Sequence, residues 1–379
     1  MGTSAIYKGV IIHGILDKSV RTDMRKLIKD ILITTIPGLE DVAAEDIQGI
    51  LKYGKCLLSP YGLRGRVLIR DVKEFDLSKI LNVKSIERVI FLLGTTRVGK
   101  DKNSLRNIYE YCKEIAFEEF VTPHTRIGVV SQREGEHEYT SLDIAKVVGQ
   151  AVIDRIIEVY GIRPPVDLEY PDITIYAEVI GDVFIIGIDR TGPKPLHDRE
   201  YRRFLHPSSL RPTIAYSLVK LSGAKNGELI LDPMCGGGTI LIEAALQLPR
   251  AKLYGMDINP NFVKGAFMNV KAAGVSDRVI LKVGDARNLD REFHGFEFDR
   301  IITDPPYGIR MRPRGLKRLY ERFLQSSLNI LKDDGTLTLI TIQSKLTLRL
   351  AKKLGYEVLH KRTIYQGGLY SHIIVLRKP

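Results

Sequence analysis

Cysteine is scarce: Cys56, Cys112 and Cys235 are the only three in 379 residues, odd in number and far apart. That spacing excludes a disulfide framework and a cysteine zinc site. It points to a reducing, cytosolic compartment. No run of about 18 apolar residues is present, so no transmembrane helix is expected. The first residues lack the basic–apolar–small pattern of a signal peptide. Met1-Gly2 is followed by Ile6 rather than the Ser or Thr that myristoylation needs at that place. No short-period repeat marks a solenoid. The expectation is a cytoplasmic monomer with no membrane partner and no metal.

Acid is outnumbered. Lys and Arg total 57 against 45 Asp and Glu, a net charge of +12. Such an excess suits a polyanion, because each neutralised phosphate releases counterions. A hydrophobic fraction of 44% fits a soluble, globular chain. At about 100–200 residues per domain, two or three domains are expected.

Residues 1–25 show no clear periodicity and read as an N-terminal extension. Residues 26–74 read as a small α+β part. Lys29–Thr35 and Gly65–Ile69 look like strands, and Pro37-Gly38 turns into a helix with Leu39, Val42, Ala43 and Ile47 on one face. Residues 75–190 repeat the style. Ser141 opens a strong amphipathic helix, and two alternating runs meet across Gly181-Asp182 as a hairpin. No catalytic constellation occurs in 26–190, so that half is expected to bind or to scaffold. Residues 191–211 form a proline-rich, basic linker. From 212 to 379 strands alternate with helices, which implies a mainly parallel sheet covered on both faces.

In this last stretch three acids end three successive strands: Asp232, Asp257 and Asp285. Ligands bind at the carboxyl ends of parallel strands. Asp232 runs into the turn Pro233-Met234-Cys235-Gly236-Gly237-Gly238-Thr239, which is not spaced G-x-G-x-x-G. A carboxylate there repels phosphate but accepts from an ammonium group, so S-adenosylmethionine fits better than NAD. Asp257 is placed to take two ribose hydroxyls, Asp285 the adenine amine, and Ile258 and Ala286 the two faces of the ring.

The fourth strand ends in Asp304-Pro305-Pro306-Tyr307. Two prolines stop the strand and hold rigidly the carbonyls that follow. Asp304 and the Pro305 carbonyl then form a fixed pair of acceptors for the two N–H groups of an sp² amine, and Tyr307 can stack on its ring. Adenine N6, cytosine N4, guanine N2 and glutamine N5 all present such an amine. A base must leave its stack to reach this pocket. Arg310, Arg312, Arg314, Lys317 and Arg318 follow at once and read as a loop gripping phosphates.

Leu229–Gly308 resembles a class I Rossmann-like methyltransferase of the (D/N)PP(Y/F) group, whose fold is a seven-stranded, mainly parallel sheet. Thr34–Val42 resembles the ferredoxin-like part that precedes a THUMP domain, and 75–190 resembles THUMP itself. Pro195–Arg202 is similar to the family's LH(K/R)RGYR linker, with Glu200 in place of its glycine. Gln366–His372 resembles the tail of TrmN-type tRNA guanine-N2 methyltransferases. The resemblance implies S-adenosylmethionine as cofactor, Ser208, Leu210 and Arg211 beside its methionine moiety, THUMP recognition of the tRNA CCA end, and a target guanine at nucleotide 6 of the acceptor stem. The alternatives are nucleotide 10, ribosomal RNA, DNA adenine, protein glutamine, and a non-catalytic RNA-binding protein.

Overall fold

The computed structural model describes residues 29–72, 75–308 and 315–379. Fourteen strands form in these segments: β1 Ile31–Thr34, β2 Lys55–Leu58, β3 Arg66–Arg70, β4 Arg88–Arg97, β5 Ile127–Glu134, β6 Ile173–Ile180, β7 Val183–Asp189, β8 Leu229–Asp232, β9 Lys252–Asp257, β10 Val279–Val283, β11 Phe298–Thr303, β12 Leu331–Thr341, β13 Glu357–Gln366 and β14 Leu369–Arg377. They make two seven-stranded sheets.

The first sheet has the order β2-β3-β1-β4-β7-β6-β5. It runs unbroken through both parts of the N-terminal half, because β1 pairs antiparallel with β3 on one side and β4 on the other. Its one parallel pair is β5–β6. The crossover between them is the helix Ser141–Tyr160, opened by a Thr140/Asp143 capping box and closed by Gly161 in the left-handed region. The hairpin at Gly181-Asp182 joins β6 to β7.

The second sheet has the order β10-β9-β8-β11-β12-β14-β13. Strands β8 to β12 run parallel, and β14 lies antiparallel between β12 and β13. The order reverses between β8 and β11. Beyond the carboxyl ends of those two strands the connections leave in opposite directions, and a crevice opens.

The halves share a core. Ile36, Leu39 and Val42, at and before the helix Glu40–Gln48, pack with Ile214 and Leu218 of the helix Pro212–Leu221 and with Ile364 and Ile373 of the β13–β14 pair. Arg362 donates to both oxygens of Asp41, at 2.7 and 2.9 Å. Lys220 binds Asp46 at 2.5 Å. Among the described residues no helix is long and apolar enough to cross a membrane.

Candidate active site

The crevice between β8 and β11 holds a cavity of about 840 Å³. Its floor is the turn after β8. Gly236 and Gly238 sit there at φ +51° and +77°, and Gly238 caps the helix Thr239–Gln247.

Asp232 is fully buried at the end of β8. Its Oδ1 accepts from the Thr303 hydroxyl at 2.8 Å and from the Met234 N–H at 3.2 Å. Burial pushes this carboxyl up to about 8, and the negative Asp304 and Asp257 add to the shift. Asp257 ends β9. Its oxygens accept the N–H groups of Gly236 at 3.0 Å and Asn259 at 2.9 Å, which ties the glycine turn to the neighbouring strand. Asp304 follows β11; burial pushes it up to about 7 against the Tyr307 hydroxyl, which donates to it at 2.5 Å. None of these three acids forms an ion pair among the described residues. A cavity lined by three acids with no cationic partner suits a ligand whose positive charge lets them ionise, and disfavours one carrying phosphates.

The linker closes the cavity from above. The His206 ring meets that of Phe262 edge-on at 4.1 Å, and its Nδ1 accepts from the Ser208 N–H. Burial lowers its pKa below the ordinary 6.5, only partly opposed by Asp257, so it stays neutral. The segment is held down at Phe204, whose N–H and carbonyl both bond the buried Asn269 amide, which also reaches the Gly237 carbonyl at 2.9 Å. Gly265 makes room: a Cβ there would stand 2.2 Å from the Phe204 ring. Farther back, Arg199 and the Tyr201 hydroxyl converge on the buried Glu243. Glu200 adopts no left-handed backbone, so a side chain is tolerated at the position where the TrmN-type linker has glycine.

Of the residues singled out by sequence, Ser208, Leu210, Asp232, Pro233, Cys235, Gly236, Thr239, Asp257, Ile258, Asp285, Ala286, Asp304, Pro305, Tyr307 and Arg318 line this one cavity. Gly238 lies just beneath it against Ala266. Arg211 points away and donates to both oxygens of Glu87, at 3.1 and 3.3 Å. Asp285 faces the cavity with both oxygens already on the Arg287 guanidinium, which holds it below the usual carboxylate range. Tyr307 turns its hydroxyl to Asp304. Lys317 borders a shallow groove beside the cavity, with Arg318 and Arg322. Arg310, Arg312 and Arg314 lie outside the described residues. Sequence reasoning passed over Phe262 and Arg287, and gave the Gln366–Ser371 segment no part in the cavity it lines; the segment from His206 to Arg211 resembles one that packs beside the cofactor, and His206, Ser208, Ser209 and Leu210 line the cavity. The two glycines at 367 and 368 were the signal that the Gln366–Ser371 segment makes a tight turn.

Two outcomes follow from this geometry. Asp232 and Asp304 bind protons in the folded chain at pH values where an unfolded carboxyl, near 3.8, has lost them. Their stabilising contribution is therefore complete below the unfolded value and is lost as pH rises through about 7 and 8. The melting temperature of the ligand-free protein should fall between about pH 5.5 and pH 9, and the fall should shrink in Asp232→Asn. Gly265→Ala should destabilise the fold by about 1–3 kcal/mol by overpacking against Phe204. It should also weaken cofactor binding as His206 and Ser208 shift. Denaturant melts and calorimetric titration with S-adenosylhomocysteine check both.

Comparison with known proteins agrees with the geometry. Residues 199–372 match the family described as the RMKL-like methyltransferase domain, and residues 102–189 match the THUMP domain. The chain is 33% identical to the tRNA (guanine(6)-N2)-methyltransferase of Archaeoglobus fulgidus, across 93% of each protein. It is 32% identical to the tRNA (guanine(10)-N2)-dimethyltransferase of Methanocaldococcus jannaschii, across 56% of this chain and 60% of that one. The crystal structure of TrmN from Thermus thermophilus superposes with a TM-score of 0.75 at 29% identity, covering 92% of this chain and 99% of that chain.

Proposed function

This chain belongs to the THUMP-containing tRNA guanine-N2 methyltransferases, and on that premise we propose that it methylates N2 of the guanine at nucleotide 6 in the tRNA acceptor stem. The observation that carries the reading is the joining of two acids without a cationic partner, Asp232 and Asp257, to the Asp304-Pro305 acceptor pair in one cavity. The residues present fit S-adenosylmethionine, whose ammonium and sulfonium supply the positive charge that these buried acids lack.

Asp232 takes the ammonium, with Thr303 orienting its carboxylate. Asp257 keeps the glycine turn in place and has lone pairs left for ribose hydroxyls. Ile258 and Ala286 flank the adenine. When bound, S-adenosylmethionine supplies a methyl group activated as an electrophile by its sulfonium. Asp304 and the Pro305 carbonyl accept the two N–H bonds of the guanine amine, which leaves the nitrogen lone pair facing the cofactor end of the cavity. Positioning of this kind supplies much of a rate enhancement. No strong base is required at the amine, because its proton leaves after transfer. Tyr307 gives up Asp304 to the incoming amine and stacks on the base. Arg318 and Lys317 at the rim grip phosphates. The THUMP part, residues 75–190, takes the CCA end, with 26–74 as its ferredoxin-like companion and 191–211 as the strap over the catalytic domain, 212–379.

Nucleotide 6 is preferred to nucleotide 10 because the similarity to the former enzyme spans 93% of the chain and that to the latter 56% of it. The test is methyl transfer from labelled S-adenosylmethionine to an unmodified tRNA transcript, with the product nucleoside identified and mapped. N2-methylguanosine at nucleotide 6 is the expected product. The same nucleoside at nucleotide 10 would overturn the site and keep the chemistry.

A further inference from the structure

Transfer to a paired guanine requires that the base leave its stack, and unstacking costs a few kcal/mol. Something must hold the stem open, and one element of the cavity rim has the shape for it. The β13–β14 hairpin turns through two residues, Gly367 and Gly368, both left-handed at φ +56° and +80°, with Gln366 paired to Leu369. This is the two-residue turn whose twist matches the strands it joins, so the ribbon stays paired out to Gln366 and Leu369. Its base is clamped to the N-terminal half: the Tyr365 N–H donates to the Pro37 carbonyl at 3.0 Å, and Arg362 holds Asp41.

The tip carries apolar surface with nothing over it. Leu369 is 42% exposed and Tyr370 61% exposed. Alternation along β14 puts Leu369 and Ser371 on the cavity side. Tyr370 lies on the other side of the ribbon, its ring 4.9 Å from that of its cross-strand partner Tyr365. The cavity rim also holds Arg318 and Leu319, and Lys317 lies in the basic groove beside them. Basic side chains and a paired, apolar hairpin tip therefore border the same opening, as a duplex backbone and a parted base step require.

Resting on the function proposed above, we propose that the β13–β14 tip is the lip over which the target guanine leaves the acceptor stem, with Leu369 filling the gap it vacates and Tyr370 stacking on a flanking nucleotide. Both are positioning residues: they act on the stack that the base leaves, and neither supplies a polar group to the transfer. Apolar side chains that part a base step do so by replacing the lost stacking.

The experiment is single-turnover methylation at saturating S-adenosylmethionine by Leu369→Ala, Tyr370→Ala, the conservative Tyr370→Phe and the unaltered protein. Two tRNA transcripts are used: one with the target guanine paired, one with its cytosine partner replaced so that the guanine is mismatched. On the paired transcript Tyr370→Ala should lose roughly tenfold in rate, the size of one base–aromatic stack, Leu369→Ala should lose roughly as much by removing the apolar wedge, and Tyr370→Phe should lose little. On the mismatched transcript, where the base is already loose, the loss should shrink to about twofold or less. Equal loss on both transcripts, or no loss on the paired one, would overturn the lip. Melting temperatures equal to that of the unaltered protein show that the exposed tip has not unfolded the chain. An unaltered protein that methylates neither transcript would instead overturn the function on which the lip rests.

Discussion

Asp304→Ala should remove methyl transfer to tRNA by about 10²–10³-fold or more, the loss seen when one preorganised electrostatic group is deleted from an active site. S-adenosylhomocysteine should bind as before. The two readouts separate because Asp304 sits at the β11 end of the cavity, bonded to Tyr307 and to none of the groups that shape the glycine turn. Its task is to accept from the guanine amine, and alanine cannot. Asparagine can, through one oxygen, so Asp304→Asn should keep measurable activity. The two variants also differ in pH dependence. Burial pushes the Asp304 carboxyl up to about 7, so the acceptor form fills as pH rises through that value. The cofactor-saturated rate of the unaltered enzyme should climb through about pH 7, and the asparagine variant should lack that limb. Equal loss of binding and transfer in Asp304→Ala would sink the assignment.

That residue was visible in the sequence because its signal is local: a buried strand, two prolines and an aromatic ring in eight residues. The three acids were visible for a related reason. Strand–helix alternation with a fixed period brings successive strand ends to one edge of a parallel sheet, so Asp232, Asp257 and Asp285 could be placed together without any knowledge of contacts.

What the sequence did not reveal depends on pairing, of side chains or of strands, most of it with partners far along the chain. Arg211 reads as a cofactor neighbour until Glu87, 124 residues away, takes its guanidinium. The pairing of β1 with β4 joins segments more than fifty residues apart, and no local period announces it. Phe204 looks like an ordinary linker residue, and only the bare face of Gly265 and the amide of Asn269 make it an anchor. Asp285 was legible as an acid at a strand end, but its capture by Arg287 depends on a side-chain rotamer rather than on a pattern. Charge placed by the sheet is thus readable, and charge placed by side-chain pairing is not.

Asp232→Asn should move binding and stability in opposite directions. The asparagine keeps an oxygen for the Thr303 hydroxyl and the Met234 N–H, so the local bonding survives. What disappears is a buried carboxylate with no cationic partner among the described residues, whose ionised form burial disfavours strongly enough to push the group up to about 8. Ligand-free protein should therefore melt higher above about pH 8 in the variant than in the unaltered chain. Cofactor binding should weaken by about tenfold to a hundredfold, because a hydrogen bond between an ammonium and a carboxylate becomes one to a neutral amide. There is a second signature. At neutral pH the unaltered carboxyl is largely protonated, and it must give up its proton to pair with an ammonium. Binding should release a proton, and calorimetric heats should vary with the ionisation enthalpy of the buffer; in Asp232→Asn this release should be absent. A residue that merely braced the turn would lower stability and affinity together when altered and would leave no proton count behind, so a fall in both would assign Asp232 to the scaffold instead of the cofactor.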